Sequence, residues 1–171
     1  MASSIEELVA NTDTTRCVAI EIRNNSKYIT LCRPSTFCES GCVFTPPGPT
    51  IPPGKKDYCI FSKTPNAACG SVGLLLYRFS NVSLAIMFSN PFDYLLYKIN
   101  YGLYITDPSI EAGKPLFKSM YYDLAPTCYF QRAQLKRDSQ ALVVTHENLR
   151  VSATMSNNKK AIIKIDIDDL S

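Results

Sequence analysis

Six side chains could do chemistry together: Ser89, Pro91, Tyr94 and Tyr97, then Tyr121 and Tyr122 further along. Tyrosine faces stabilise a quaternary ammonium, a cation that cannot donate a hydrogen bond. Tyrosine and serine hydroxyls are then placed to hold a phosphate beside it. The chemistry implied is recognition of a zwitterionic headgroup, with no bond made or broken. Cross-strand aromatic packing uses the same residue types, and composition by itself favours that plainer reading.

Competing chemistries lack their signatures. There is no glycine-rich phosphate loop, no His-Glu-x-x-His and no Gly-x-Ser-x-Gly elbow, so no enzyme is expected. The single histidine, His146, has no evident nucleophile to serve and reads as an edge residue. Cys38-x-x-x-Cys42 has loose metal-like spacing, but no second Cys/His pair follows, so neither metal nor cofactor is expected. Asp166, Asp168 and Asp169 read as a solvated tail, and the doublets Lys136-Arg137 and Lys159-Lys160 as solubilising loops that also attract anionic lipid. The seven cysteines, odd in number and scattered, suggest reduced, partly buried thiols rather than a disulfide framework.

The elements that must position the six residues follow from patterning. The chain has 171 residues, 46% hydrophobic and 19% charged with net charge +3: a folded chain, and no polybasic nucleic-acid binder. Its ten tyrosines, eight phenylalanines and absent tryptophan suit interfaces and β-sheets alike. Ser4-x-x-Glu7 predicts a short capped helix through Ile5, Leu8 and Val9. Period-two alternation from Arg16 puts Val18, Ile20 and Ile22 on a buried face, with Cys17, Ala19, Glu21 and Arg23 opposite. A turn at residues 24–26 and a returning strand at 27–33 come next. Five prolines between 46 and 53 make residues 34–54 a connection expected to wander over the surface.

Further strands are expected at 56–61, 72–79, 84–88 and 101–106, then around 141–145, 149–155 and 161–167. The run 84–104 begins as buried strand and breaks at Ser89-Asn90-Pro91 into a loop of exposed Tyr, Leu and Phe, as a surface dipping into lipid headgroups would. Residues 114–123 form the second helix, with Pro115 in its first turn and Leu116, Phe117 and Met120 at core-facing spacing. The fold class is all-β: a β-sandwich flanked by two short helices, divided into a helical segment 1–15 and a sandwich 16–171. No apolar run is long enough to span a membrane, and the acidic start carries no evident export signal. A cytoplasmic or non-classically released product that meets a membrane surface is expected.

The run Leu-Ala-Ile-Met-Phe-Ser-Asn-Pro-Phe-Asp-Tyr at 84–94, followed by Tyr97 and by Met120-Tyr121-Tyr122, resembles the actinoporin family of sea-anemone pore-forming cytolysins and their relatives in fish and other animals. Residues 16–26 resemble the family's first strand and turn, Ser40-Gly41 its Ser-Gly, and residues 68–72 its Thr-Gly-Ala-Val stretch. The likeness covers residues 16–167 and leans towards a vertebrate, fish-type member.

The resemblance implies a phosphocholine pocket that favours sphingomyelin, an N-terminal amphipathic helix that detaches and inserts, and protomers that oligomerise on membranes into cation-permeable pores. Carried over position by position, the phosphocholine set is Ser40, Val72, Ser89, Pro91, Tyr97, Phe117, Tyr121 and Tyr122, and the membrane-contact set is Arg16, Leu96, Ile99 and Tyr101. Phe117 stands where the family has a tyrosine, and Leu96, Asn100 and Tyr101 where it is rich in tryptophan. The fifteen residues before Arg16 would span about 22 Å as helix, short of a hydrocarbon core of about 30 Å. The same sandwich resembles that of fungal fruit-body lectins. The alternative is therefore a lectin-like module that binds glycans or headgroups without forming pores.

Overall fold

The computed structural model describes residues 3–136 and 141–170. Arg137, half of one basic doublet, and Met1 and Ala2 of the N-terminal segment lie outside them. Two six-stranded sheets pack face to face. One has the order β10-β11-β12-β1-β5-β3, built from Leu142–His146, Leu149–Met155, Lys160–Asp169, Cys17–Asn24, Lys56–Ser62 and Cys42–Thr45. The other has the order β4-β2-β6-β7-β8-β9, built from Thr50–Ile51, Leu31–Ser40, Ser71–Phe79, Val82–Asn90, Asn100–Thr106 and Phe130–Gln134. The pairing is antiparallel except where β1 lies parallel to β12, joining the two ends of the chain in the middle of one sheet. The central core runs from Val18, Ile20 and Ile22 across to Leu84, Ile86 and Phe88, with the Phe61 and Phe88 rings 4.5 Å apart.

Each sheet carries a helix on its outer face, as expected. Helix α1, Ile5–Ala10, begins where Ser4 Oγ accepts the Glu7 N–H at 3.2 Å. It places Ile5 and Val9 over Cys17, Ala19 and Ile60. The face of β1 opposite Val18 is therefore covered, and only Arg23 in that strand is exposed. Alternation alone predicted a half-buried strand, because the helix supplies the second cover from outside the strand's own pattern.

Helix α2, Lys114–Lys118, continues as a π-helical turn at Ser119–Asp123. It seats Leu116, Phe117 and Met120 on Leu74, Leu76, Ala85 and Met87 of the other sheet. Arg132 Nη1 on β9 donates to the Met120 carbonyl at 2.8 Å and ties the turn down.

Three sequence expectations are corrected. Residues 34–54 do not wander: β2 pairs with β6 from Cys32↔Arg78 to Ser40↔Val72, and β3 and β4 follow. The prolines at 46, 47, 49, 52 and 53 all fall between strands, and Pro34 sits where the β2–β6 register shifts, so no ladder N–H is lost. The returning strand begins at Leu31 rather than at residue 27. The short polar strand β9 was not anticipated. It pairs only along β8 and buries Phe130 and Ala133, too little alternation to stand out in sequence. All seven cysteines are unpaired; burial pushes the Cys17 thiol up to about 11 and Cys59 further still.

Candidate functional site

A register row lays the floor of the site. Ser40 on β2 pairs with Val72 on β6, and Val72 with Ser89 on β7, so three strands bring these side chains side by side. Strand β7 runs two residues past its expected end at Phe88, with Ser71↔Asn90 still paired. The loop that follows starts from a fixed point: Asn90 is fully buried and reaches across the sandwich. Its Nδ2 donates to the Lys159 carbonyl at 2.8 Å and to that of Cys17 at 3.1 Å, and its Oδ1 accepts the Tyr94 hydroxyl at 2.6 Å. Gly70 is required beside it. A Cβ there would lie 2.2 Å from the Asn90 carbonyl oxygen, and both Asn90 and Pro91 would have to move.

The other wall is the α2–π segment. Phe117 stacks on Tyr121 with ring centroids 5.5 Å apart, and Tyr121 meets Tyr122 edge-on at 4.6 Å. The wider π turn lets consecutive residues 121 and 122 both face the loop, and such turns recur at functional sites. Burial pushes the Tyr121 phenol above its ordinary value, helped by Tyr122, while a hydrogen bond with the Ser89 side chain pulls it back. The phenol therefore remains a neutral donor through the neutral range.

These elements enclose a cavity of about 610 Å³ lined by all eight residues of the expected set: Ser40, Val72, Ser89, Pro91, Tyr97, Phe117, Tyr121 and Tyr122. Tyr94 is not among them. It sits behind the loop, where the Arg16 guanidinium stacks 4.8 Å over its ring and 5.4 Å over that of Phe92. Tyr94 positions the wall rather than facing a ligand.

The membrane-contact set divides. Leu96 is 73% exposed, beside Leu95 at 95%, Tyr97 at 59% and Phe92 at 49%. Ile99 and Tyr101 do not belong to that apron; they are 3% and 0% exposed. Both occupy inward positions where the chain enters β8, and Tyr101 donates its hydroxyl across the core to the Ala153 carbonyl at 3.2 Å. Burial pushes its phenol up to about 12. Arg16 is only 8% exposed, held between two rings, so it does not stand at the surface as expected.

Sequence reasoning missed the rim. Lys114, Lys118, Glu39 and Asp93 also line the cavity, with Lys114 Nζ 3.7 Å from Glu39. Two cations and two carboxylates leave the mouth without net charge. The signal was present in the helix spacing: Lys114 and Lys118 are four apart and adjoin Phe117 and Tyr121 on the same turn. Glu39 and Asp93 arrive from other elements and had no such mark. Among the described residues no cluster of three metal-ligating side chains occurs.

The chain as a whole has known relatives. The family model described as sea anemone cytotoxic protein matches residues 4–169. The curated relative Tereporin-Ca1 of Terebra anilis is 27% identical over 87% of this chain and 82% of its own length. DELTA-actitoxin-Aeq1b of Actinia equina is 32% identical over 67% of this chain, but the match spans only 54% of that relative. Among solved structures, the lipid-binding protein Nakanori superposes with a TM-score of 0.74 over 95% of this chain and 76% of its own, at 15% identity. That likeness speaks to the fold alone.

Proposed function

Since this chain belongs to the sea anemone cytotoxic protein family, the actinoporin group of cytolysins and lipid-binding toxins, we propose that its tyrosine-lined cavity takes the phosphocholine headgroup of a membrane lipid, sphingomyelin included. The observation that carries the reading is the meeting of Ser89, Tyr97, Tyr121 and Tyr122 in one cavity beside an exposed apolar apron. Several ring faces offer the trimethylammonium a site that needs no hydrogen bond. The Ser89 and tyrosine hydroxyls supply donors for the phosphate oxygens. A mouth without net charge suits a zwitterion better than a net anion or cation. Phe117 contributes a ring and no donor, so the phosphate falls to its neighbours.

Leu95, Leu96, Phe92 and Tyr122 adjoin the cavity and would enter the headgroup region as the lipid is bound. This replaces the wider apron expected from sequence, which had included Ile99 and Tyr101. Membrane-bound protomers would then assemble into a cation-permeable pore. That second step asks more of the chain: α1 as docked is six residues long, about 9 Å of helix, against a hydrocarbon core of about 30 Å. No helix among the described residues is long and apolar enough to cross a membrane.

Flotation and dye release from vesicles with and without sphingomyelin test both steps in one preparation. Binding that needs choline lipid, with leakage, supports the full reading. Binding without leakage at micromolar protein removes the pore and retains the pocket. Loss of vesicle binding with gain of signal on a glycan array would transfer the site to the lectin-like alternative. The double variant Tyr121→Ala, Tyr122→Ala should lose at least about tenfold in affinity, since two cation–π faces desolvated by a ligand contribute about 1–2 kcal/mol each. Undiminished binding by that variant sinks the pocket.

A further inference from the structure

At the opposite end of the same sheet lies a second cleft, of about 450 Å³, that the headgroup reading does not use. Strand β6 carries both sites: Val72 lines the first and Arg78 the second. They lie six residues apart, about 20 Å at the strand rise of ~3.3 Å. The second cleft is built on the outer face of the sheet where Arg78 pairs with Cys32 on β2 and with Ser83 on β7. Leu76 continues its floor, and Ile110, Glu111 and Ala112 form a wall from the loop before α2.

Three features of this cleft call for a ligand. Arg33 and Arg78 both line it, and among the described residues no carboxylate pairs with either. Arg33 is brought there by the register shift between Cys32 and Ser35, where one extra residue on β2 re-aims the chain and the Arg33 backbone takes a φ of +51°. Most telling is Ser83: it is 1% exposed and lines the cleft, and its Oγ has no hydrogen-bond partner. It lies on the outer face of β7, in step with Ala85 and Met87 of the outer cluster. A buried hydroxyl without a partner is unusual in a folded chain and asks for an explanation.

We propose that this cleft is an oxyanion site that takes a phosphate monoester between Arg33 and Arg78, with the Ser83 and Ser35 hydroxyls donating to its oxygens. Two guanidinium forks match the oxygens of a phosphate, and a hydroxyl in the floor completes the donor set. The volume exceeds what a bare ion needs, and Leu76, Ile110 and Ala112 offer apolar contact to whatever carries it. Glu111, the carboxylate on the wall, leaves the lining one positive charge in excess and favours an ester that itself bears a hydroxyl or amine. The site is independent of the headgroup cavity and does not rest on that reading.

Nuclear magnetic resonance of the arginine side-chain Nε–H groups tests this directly. Inorganic phosphate and glycerol phosphate are titrated separately at constant ionic strength. Saturable shifts of Arg33 and Arg78 are expected, with affinity lowered about tenfold in Arg78→Gln and several-fold in Arg78→Lys, which keeps the charge and loses the fork. Ser83→Ala should weaken binding by a smaller factor. A second arm uses phosphatidylethanolamine vesicles carrying phosphatidic acid and no choline lipid. Arg78-dependent flotation assigns the ester to a lipid, and shifts confined to the small esters assign it to a soluble carrier. Absence of saturable shifts in the unmodified protein with either inorganic phosphate or glycerol phosphate and no Arg78-dependent flotation would overturn the proposal, as would equal shifts in Arg33→Gln. Binding to choline-lipid vesicles should be unchanged in these variants, because it uses the other end of the sheet.

Discussion

Helix α1 buries two side chains, Ile5 and Val9, against its sheet, whereas α2 and its π turn bury Leu116, Phe117 and Met120 against theirs. Both also have a cation on a backbone carbonyl and an exposed ion pair, and they differ in the ring contacts that α2 adds. Helix α1 is held by polar ties. Lys160 Nζ donates to the Thr12 carbonyl at 2.8 Å and more weakly to those of Ala10 and Val9, and Glu6 pairs with Lys164 at the surface. The α2 segment is held by stacked rings and by Arg132 on the Met120 carbonyl. Exposed ion pairs contribute about 0–1 kcal/mol, and a six-residue helix has little stability of its own. Helix α1 is therefore expected to open locally while the sandwich stands. The α2 segment is a wall of the cavity and must remain rigid for the site to exist.

The largest effect expected from this contrast is at Met120, which is fully buried. Met120→Ala should cost about 2–5 kcal/mol in urea unfolding and weaken headgroup binding with it, because the cavity under Tyr121 loses its support. Unchanged binding in a destabilised Met120→Ala protein would show that the wall does not depend on its packing. A smaller and local effect is expected at Val9, 4% exposed beneath α1. Val9→Ala should reduce protection of the α1 amides from hydrogen exchange by about 1–2 kcal/mol and leave the Met120 region and headgroup binding as they were. Equal loss of protection across the whole chain would mean that α1 and the sandwich unfold as one unit.

The smallest effect is acid-dependent. A hydrogen bond from Lys164 holds the Glu6 carboxyl below the usual carboxylate range and raises the Lys164 pKa in turn. A folded pKa below the unfolded one gives stability that is present above the unfolded value and is lost as the pH falls through the folded value. Protection of α1 should therefore weaken slightly below the ordinary carboxylate range. Glu6→Gln should abolish that dependence, with exchange protection factors as the measurement. The pair is exposed, so the change belongs to α1 alone.

The same contrast explains what could be read from the chain. The strands at Ser71–Phe79, Val82–Asn90 and Lys160–Asp169 announce themselves through long apolar or alternating runs. The α2 segment does so through Leu116, Phe117 and Met120 at helical spacing. Strand β2 hid among prolines, because a proline count does not say which N–H groups the ladder needs. In the structure the prolines fall in the gaps and at one register shift. Strand β9 hid because an edge strand that buries two side chains leaves almost no pattern.

Alternation and turn chemistry along single segments determined the sandwich and its two helices; residue chemistry pointed to Ser89, Pro91, Tyr97, Tyr121 and Tyr122, and the family resemblance added Ser40, Val72 and Phe117 to the cavity set. Only the tertiary structure decided which way neighbouring side chains face. Leu95 and Leu96 stand outside while Ile99 and Tyr101, a few residues on and equally apolar, are in the core, because the chain enters β8 with those two on its inward face. Arg16 was legible as a cation near the start of a strand; its place between the Phe92 and Tyr94 rings was not. Nor was the pairing that sets Arg78 beside an unpartnered Ser83. Local pattern specifies what a residue is suited to, and register between strands distant in sequence specifies what it meets.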